Sequence, residues 1–277
     1  MNFFEGETKP ISPLDALNGT AALSLDQLRS VLIRLEDTII FNLIERAQFA
    51  RNAAIYDENA PEFRQLNFKG SFVQYLLREM ECVYARVRRY TSPDEHPFTP
   101  RHALPEPILP TLAYPQVLHP NDININDDIY RIYVQHVIPT LCTSVNDQQY
   151  GSAGTRDVEC LQALSRRIHF GKFIAEAKFQ DPNEHADYVR MIKAKDSQGI
   201  MERLTNSKVE EQVLARLRKK ALTYGQDLND VPSNEPQRPG TPLRGIHLAD
   251  VVVDLYKEYV IPLTKEVEVD YLLKRLD

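Results

Sequence analysis

The fold of this chain is decided by residues 151–179, which read GSAGTRDVECLQALSRRIHFGKFIAEAKF. After a glycine-rich start the stretch contains no proline, and its apolar residues recur at helical spacing, which predicts one long helix. At about 100° per residue, one stripe of this helix consists of Cys160, Ala163, Leu164, Arg167, Gly171, Ile174 and Lys178. The opposite side carries Gln162, His169, Lys172 and Glu176. The first stripe is mostly apolar and is expected to face the core.

Two cations, Arg167 and Lys178, lie on the stripe that should be buried. They are separated by about three helical turns, or roughly 16 Å along the axis. Because an unpaired buried charge is costly, an anionic group should meet each of them. That group is either a protein carboxylate, such as Glu36 or Glu268 in a purely structural scaffold, or a ligand. The pattern alone leaves both readings open.

The composition favours a helical protein of one or two domains. The 277 residues can bury a substantial core, only ten are glycine, and the eighteen prolines are clustered, which leaves room for long helices. A net charge of −6 without a long basic block argues against nucleic acid or an anionic membrane as a partner. The three cysteines fit a reduced compartment better than a disulfide framework. With no run of eighteen apolar residues and no signal-peptide pattern, a cytoplasmic location is expected.

The chain is expected to begin with a mobile tail, residues 1–23, followed by a single domain over 24–277. Ser24 and Gln27 have the spacing of a capping box, which predicts a helix from there to about Ala50. The apolar stripe of this helix consists of Leu28, Val31, Leu32, Leu35 and Ile39. Arg29 lies on the adjoining stripe, where it is either a solvated surface residue or a functional one.

A second helix is predicted from about Ser71 to Tyr90. Its expected apolar face is Phe72, Tyr75, Leu76, Met80, Val83 and Val87. Arg88 and Arg89 at its end either complement the helix dipole or form an anion site. Residues 91–120 hold eight prolines and several apolar residues, so they are expected to strap onto the helical body. A third helix is predicted from about Asp127 to Thr143, with Pro139 near its end.

The later elements carry further candidates. Gly151, Ser152 and Thr155 stand at a helix start, which either serves capping or seats a carboxylate on free backbone N–H groups. Ser207 and Glu210 have the spacing of another capping box, which gives Glu210 a structural explanation beside a ligand role. The prolines and polar residues of 225–245 predict a long flexible loop. A last helix from about Leu248 is interrupted by Pro262, and Thr264 and Glu268 share one face of its final part.

Most familiar catalytic signatures are missing from the sequence. There is no phosphate loop, nucleophile elbow, Cys-x-x-Cys pair or His-Glu-x-x-His pattern, and the seven histidines are isolated. His169 is expected on a polar face and not as a base. No cofactor and no metal are therefore expected. An enzyme built this way would work by positioning and electrostatics.

Several long motifs, in order, closely resemble the yeast-type fungal chorismate mutases. Besides residues 151–179, the likeness rests on LRSVLIRLED at 28–37, NFKGSF at 67–72, RVRRY at 86–90, SPDE at 92–95 and IPLTKEVEV at 261–269. The resemblance covers about residue 24 to the end. It implies an all-α helical bundle with the active site among long helices, a cytosolic homodimer, and the conversion of chorismate to prephenate on the branch toward phenylalanine and tyrosine.

The resemblance also implies roles for individual residues. By motif position, Arg29 and Arg167 clamp the two carboxylates of the substrate, while Lys178 and Glu268 lie at the breaking ether oxygen. Glu210 lies at the substrate hydroxyl, with Asn206 and Thr264 beside these groups. A unimolecular Claisen rearrangement of a dianion needs only conformer selection and charge stabilisation. A carboxylate beside an oxygen that gains negative charge would repel it, so Glu268 is expected to act as the neutral acid.

Finally, the family is typically inhibited by tyrosine and activated by tryptophan at a site between subunits. The matching positions are Arg88 and Arg89 of one chain with Gly151, Ser152 and Thr155 of the other. This sequence departs from the family pattern at Gln148 and Gln149, where asparagines are usual, and at the regulatory threonine, which aligns with Thr241 or with Leu248. The alternative function is a catalytically inactive homologue that senses aromatic amino acids or binds a partner.

Overall fold

The computed structural model describes residues 25–110, 112, 116–225 and 246–277. In these residues the regular secondary structure is helical, without a strand, so the predicted all-α class is confirmed. The helices are α1 (Leu25–Arg46), α2 (Phe72–Arg86), α3 (Asn126–Ile132), α4 (Ile138–Leu141), α5 (Tyr150–His169), α6 (Gly171–Gln180), α7 (His185–Ala194), α8 (Ser197–Leu204), α9 (Ser207–Tyr224), α10 (Ile246–Leu255) and α11 (Ile261–Leu273). None of the described helices is long and apolar enough to cross a membrane. The predicted tail 1–23, the capping Ser24 and residues 226–245 of the predicted loop, including Thr241, lie outside the described residues.

The central helix is divided, contrary to the single helix predicted. It ends at His169 and resumes at Gly171, because the backbone at Phe170 (φ −61°, ψ −15°) makes a tighter turn in which the Phe173 N–H bonds the Phe170 carbonyl at 3.1 Å. Arg167 and Lys178 consequently lie on two consecutive helices, α5 and α6.

The side of the central helix expected to be polar and away from the core is buried instead. Gln162, His169, Lys172 and Glu176 are each less than 5% exposed. The proline-rich crossing and the neighbouring helices cover them and satisfy their polar atoms: Gln162 Nε2 donates to Glu81 Oε1 at 2.6 Å, and His169 Nε2 accepts from the Ile125 N–H at 3.0 Å. Burial, followed by the charge of Lys172, lowers the pKa of His169 to about 3, so this imidazole is neutral at neutral pH.

The buried face of α2 also differs from the one predicted. Val73, Leu77, Glu81 and Ala85 face the core, whereas Val83 and Val87 of the predicted apolar stripe are about half exposed. The reason is Glu81, whose carboxylate accepts from the backbone N–H groups of residues 98 and 99 at 2.8 and 2.7 Å and so binds the crossing to α2. The expected start is confirmed: Ser71 and Gln74 form a full capping box.

Two wide turns accommodate the interior prolines. A π-helical turn at Tyr133–Val137 precedes Pro139, and another at Tyr256–Val260 precedes Pro262. Proline lacks the N–H that an α-helical bond requires, and a π turn lets the chain continue in the same direction. The second turn continues α10 into α11, and the hydroxyl of Thr264 donates to the Val260 carbonyl at 2.6 Å. This bond fixes the side chain of Thr264 at the start of α11.

Candidate active site

Arg167 is a buried cation without an acidic partner in the part of the chain that the structure describes. Its side chain extends from α5 toward the start of α11, where Nη1 donates to Thr264 Oγ1 at 3.2 Å and the guanidinium lies 5.8 Å from the centre of the Tyr256 ring. Arg167 is 6% exposed, and its buried Nε has no hydrogen-bond partner. The expected inward orientation is confirmed by this burial. A buried guanidinium with an open donor is suited to bind an anion.

Glu36 is not the acid that neutralises Arg167. Its buried carboxylate is bound by Arg216, with Nη2 to Oε1 at 2.6 Å, and by Lys220 Nζ at 3.2 Å. Both of these cations come from α9. A purely structural ion pair between Glu36 and Arg167 is therefore not observed.

Lys178 and Glu268 form the second part of the site. Lys178 Nζ lies 3.8 Å from Glu268 Oε2 and donates to the Leu204 carbonyl at 3.2 Å. Burial raises the pKa of Glu268 to about 7, although Lys178, Arg167 and Lys265 act in the opposite direction. This side chain, which projects from α11, is therefore largely a neutral acid below neutral pH.

Asn206 and Glu210 lie at the start of α9, but the helix is capped by a different residue from the one predicted. Asn206 is the N-cap, because its Oδ1 accepts from the Val209 N–H at 3.2 Å, and Ser207 is already the first helical residue. The predicted Ser207–Glu210 capping box is therefore wrong. Glu210 does not cap the helix, and its Oε1 instead pairs with Lys265 Nζ at 2.7 Å.

Arg29 is the one predicted catalytic residue that the structure does not bring into this group. It lies in the first turns of α1, its side chain is 61% exposed, and Nη1 pairs with Asp26 Oδ1 at 3.0 Å. The helix itself is close, because its neighbour Leu28 packs in one apolar cluster with Phe173 and Ala177 of α6. The position lies beside the helix that carries Lys178, while the guanidinium points to solvent.

Gly171 allows α11 to approach the central helix at the site. A Cβ atom at this position would lie 2.9 Å from the Thr264 carbonyl oxygen, 3.0 Å from Thr264 Cγ2 and 3.1 Å from Glu268 Cγ. These distances are shorter than ordinary van der Waals contacts, and one of the atoms is backbone. The missing side chain therefore sets the spacing of Arg167, Thr264 and Glu268.

We expect Gly171→Ala to push α11 outward, with a loss of about 1–3 kcal/mol of unfolding free energy and a fall in kcat. Denaturant unfolding and initial rates measure both quantities. Gly151→Ala is the control for stability, because a Cβ there has no neighbour within 4 Å. A Gly171→Ala protein with unchanged stability and rate would show that this close contact does not position the site.

The predicted effector residues occupy two separate places in one chain. Arg89 Nε pairs with Glu95 Oε2 at 3.0 Å, and Glu95 lies 3.6 Å from Arg166 of α5. Gly151 is exposed at the opposite end of α5. Along the helix axis, roughly 22 Å separate Gly151 from Arg166. Arg88 donates to the Pro110 carbonyl at 2.5 Å. Within one chain these two groups do not form a single site.

Comparison with known proteins identifies the family. The model of the family described as chorismate mutase type II matches residues 150–269, which include most of the site. The chorismate mutase of Saccharomyces cerevisiae is 46% identical over 95% of this chain and 100% of its own length, and that of Emericella nidulans is 50% identical over 95% and 96%. The chain belongs to the chorismate mutase family. It is thus an isomerase that converts chorismate to prephenate, as the resemblance predicted.

Solved chorismate mutases share the fold. The Candida albicans chorismate mutase in complex with L-tryptophan superposes with a TM-score of 0.82 at 41% identity, over 96% of this chain and 94% of that one. The structure of AtCM1 with tyrosine bound in its allosteric site gives a TM-score of 0.79 at 45% identity, over 92% and 97%. The inactive-homologue alternative is not favoured, because named chorismate mutases match nearly the whole chain.

One residue of the candidate site was assigned no role from the sequence. Lys265 stands between Thr264 and Glu268 in the motif IPLTKEVEV, and it contacts Glu210 across the site. The signal was present in the sequence, because residues three apart on a helix share a face and Lys265 precedes Glu268 by three. What the sequence did not show was that α9 lies opposite this face.

Proposed function

We propose that the rearrangement of chorismate takes place between α5, α6, α9 and α11, with Arg167, Lys178 and Glu268 as the catalytic residues. The observation that carries this proposal is the buried guanidinium of Arg167, which has no acidic partner among the described residues. The carboxyl group of Glu268, whose pKa is raised, lies in the same site. A dianionic substrate supplies the missing negative charge. The family membership supplies the reaction.

Each residue has a role that follows from its position. Arg167 binds one carboxylate of chorismate through parallel N–H donors, and Thr264 holds the guanidinium in place from the other side. Lys178 and neutral Glu268 donate hydrogen bonds to the ether oxygen, which gains negative charge as its C–O bond breaks. Glu210 accepts from the substrate hydroxyl, with Asn206 beside it at the start of α9. By holding the compact conformer, these contacts also reduce the entropic barrier.

We further propose that Arg29 binds the second carboxylate after a rotation of its side chain. Its partner in the structure is Asp26, and both side chains are well exposed. An exposed ion pair of this kind is worth about 0–1 kcal/mol, so a buried or half-buried carboxylate of the substrate can replace it. The proximity of α1 to α6 supports this role.

The test of the proposed function is a chorismate-disappearance assay on the purified protein. We expect a saturable loss of chorismate with stoichiometric formation of prephenate, followed by absorbance and by NMR of the product. Addition of a chelator should leave the rate unchanged, because none of the proposed roles uses a metal. A folded protein that leaves the uncatalysed rate unchanged would overturn the proposal.

Regulation by aromatic amino acids is the second part of the proposal. We infer that tyrosine inhibits and tryptophan activates at a site where Arg88 and Arg89 of one subunit meet Gly151, Ser152 and Thr155 of a second subunit in a homodimer. The separation of these groups within one chain supports a site completed by a second copy. Two exposed apolar residues, Val83 on α2 and Val87 just after it, support the same conclusion. The relatives crystallised with tryptophan or tyrosine support such effectors.

We expect Arg88→Ala to weaken tyrosine binding by about 1.5–3 kcal/mol, roughly ten- to a hundredfold, because the carboxylate loses a charge-assisted hydrogen bond. Equilibrium titration of tyrosine into the dimer measures the affinity. Arg86→Ala is the matched control, since Arg86 is an exposed arginine of the same cluster. Equal affinity of the wild type and Arg88→Ala would remove Arg88 from the site.

The remaining proposals concern organisation and location. We treat 24–277 as one domain, because α1 to α11 contribute to a shared apolar core through residues such as Leu43, Leu161 and Leu272. A cytoplasmic location is supported by the three free cysteines, which fit a reduced compartment. The Petunia hybrida relative, in contrast, is named chloroplastic. Microscopy of the tagged protein in its own cells distinguishes the two locations.

A further inference from the structure

Lys265 contacts the site, and none of the proposed catalytic or binding roles uses it. It lies on α11 with its side chain 19% exposed, and its Nζ binds Glu210 Oε1 of α9 at 2.7 Å. Both partners are partly shielded, so this pair is screened less than one on the open surface. The contact joins the helix that carries Thr264 and Glu268 to the helix that carries the proposed hydroxyl acceptor.

Lys265 offsets the negative charge that Glu210 brings to the site. Arg167, Lys178 and Lys265 are cations, and the carboxylate of Glu210 forms an ion pair with the ammonium of Lys265. Arg29, Arg167 and Lys178 are the cations proposed to act on the substrate, and Glu268 acts as a neutral acid. Without Lys265, the carboxylate of Glu210 would face a dianionic substrate uncompensated.

We propose that Lys265 is a positioning residue of this chorismate mutase, which fixes Glu210 as the acceptor for the substrate hydroxyl and offsets its negative charge, so that a dianion is bound. This inference rests on the proposed function of the site. It predicts that Lys265 acts mainly on substrate binding. The chemical step, which depends on Lys178 and Glu268, should be changed much less.

Lys265 also affects the protonation of Glu268. The charged groups that act on Glu268 are Lys178 of α6, Arg167 of α5, Lys265 of its own helix and Glu210 of α9, and the phenol of Tyr188 on α7 also lies close. The three cations stabilise the ionised form and the carboxylate destabilises it. Removing Lys265 should therefore raise the pKa of Glu268, so that the neutral acid persists to a higher pH.

The test compares Lys265→Gln, Lys265→Arg and Lys265→Gln/Glu210→Gln with the wild type, using kcat, KM for chorismate and the pH profile. For Lys265→Gln we expect KM to rise roughly tenfold with kcat within about twofold. The pH at which activity falls should move upward by about half a unit or more. Lys265→Arg should retain the wild-type values. The double variant, which also lacks the uncompensated carboxylate of Glu210, should recover part of the lost affinity.

Lys274→Gln is the control, because Lys274 is an exposed lysine after α11 that pairs with Asp122 at 2.6 Å, away from the site. A merely structural salt bridge would lower the melting temperature of Lys265→Gln without moving the pH profile, and that result would overturn the inference. Unchanged KM would do the same. If Lys265→Gln does not fold, a Lys265→Arg protein with raised KM overturns it. These outcomes leave the wild type active, whereas an inactive wild type would overturn the proposed function itself.

Discussion

Replacing Arg167 by glutamine is expected to lower kcat/KM for chorismate by about two to three orders of magnitude. Removing one partner of a buried, hydrogen-bonded charge pair costs about 2–5 kcal/mol, and each 1.36 kcal/mol is a factor of about ten in rate. In the complex that pair is the guanidinium and a substrate carboxylate. The loss should appear in KM and kcat together, because the contact both binds and orients the substrate.

The same substitution should leave the free protein at least as stable as the wild type. Arg167 is buried without a carboxylate among the described residues, so glutamine leaves no acid unpaired and can still bond Thr264. The initial rate should therefore fall without a fall in the melting temperature, when both are measured on the same preparation. The control is Arg190→Gln, an exposed arginine that pairs with Asp187 at 3.3 Å on α7. An active Arg167→Gln protein would remove this residue from the catalytic roles.

The second large effect is expected in the pH dependence of the rate. Burial, partly opposed by Lys178, raises the pKa of Glu268 to about 7. If only the neutral acid donates to the ether oxygen, kcat/KM is constant at pH values well below 7. Above 7 it falls about tenfold per pH unit. A bound dianion raises this pKa further, so the decline of kcat should lie at a higher pH than that of kcat/KM.

Glu268→Gln should abolish this decline, because an amide donates a hydrogen bond at every pH in the range. Its rate at pH 9 should then exceed that of the wild type, while the wild type is faster at pH 6. The matched control is Glu266→Gln, since Glu266 lies on the same helix and its carboxyl pKa is also raised by burial, yet it has no contact with the site. A Glu268→Gln protein that keeps the wild-type pH profile would show that Glu268 is not the group that titrates.

The sequence predicted the helices more accurately than their environments. The bounds of α9, α10 and α11 were close to those observed, because proline positions and helical periodicity are local signals. The buried side of α2 and the second side of α5 were assigned wrongly. Their polar residues, such as Glu81 and Gln162, are buried because the proline-rich crossing supplies partners distant in sequence, and periodicity carries no information about such partners.

The site was predictable to a similar extent. That Arg167 and Lys178 face inward followed from the helical period and from the cost of buried charge. The assignment of Glu210 to a capping box failed because Asn206 provides the cap one residue earlier, and both residues are good caps. The side-chain conformation of Arg29 could not be predicted from the sequence. Its role was inferred from the family motif, whereas its side-chain conformation depends on a local competition between Asp26 and a substrate.

The inward-facing cations Arg167 and Lys178 are proposed to bind a small dianion. Calorimetric titration of the product prephenate into the wild type and into Arg167→Gln measures this directly, without dependence on the chemical step. We predict specific, one-to-one binding by the wild type and an affinity at least about thirtyfold lower in the variant, which corresponds to about 2 kcal/mol. Equal affinities in two folded proteins would contradict the claim.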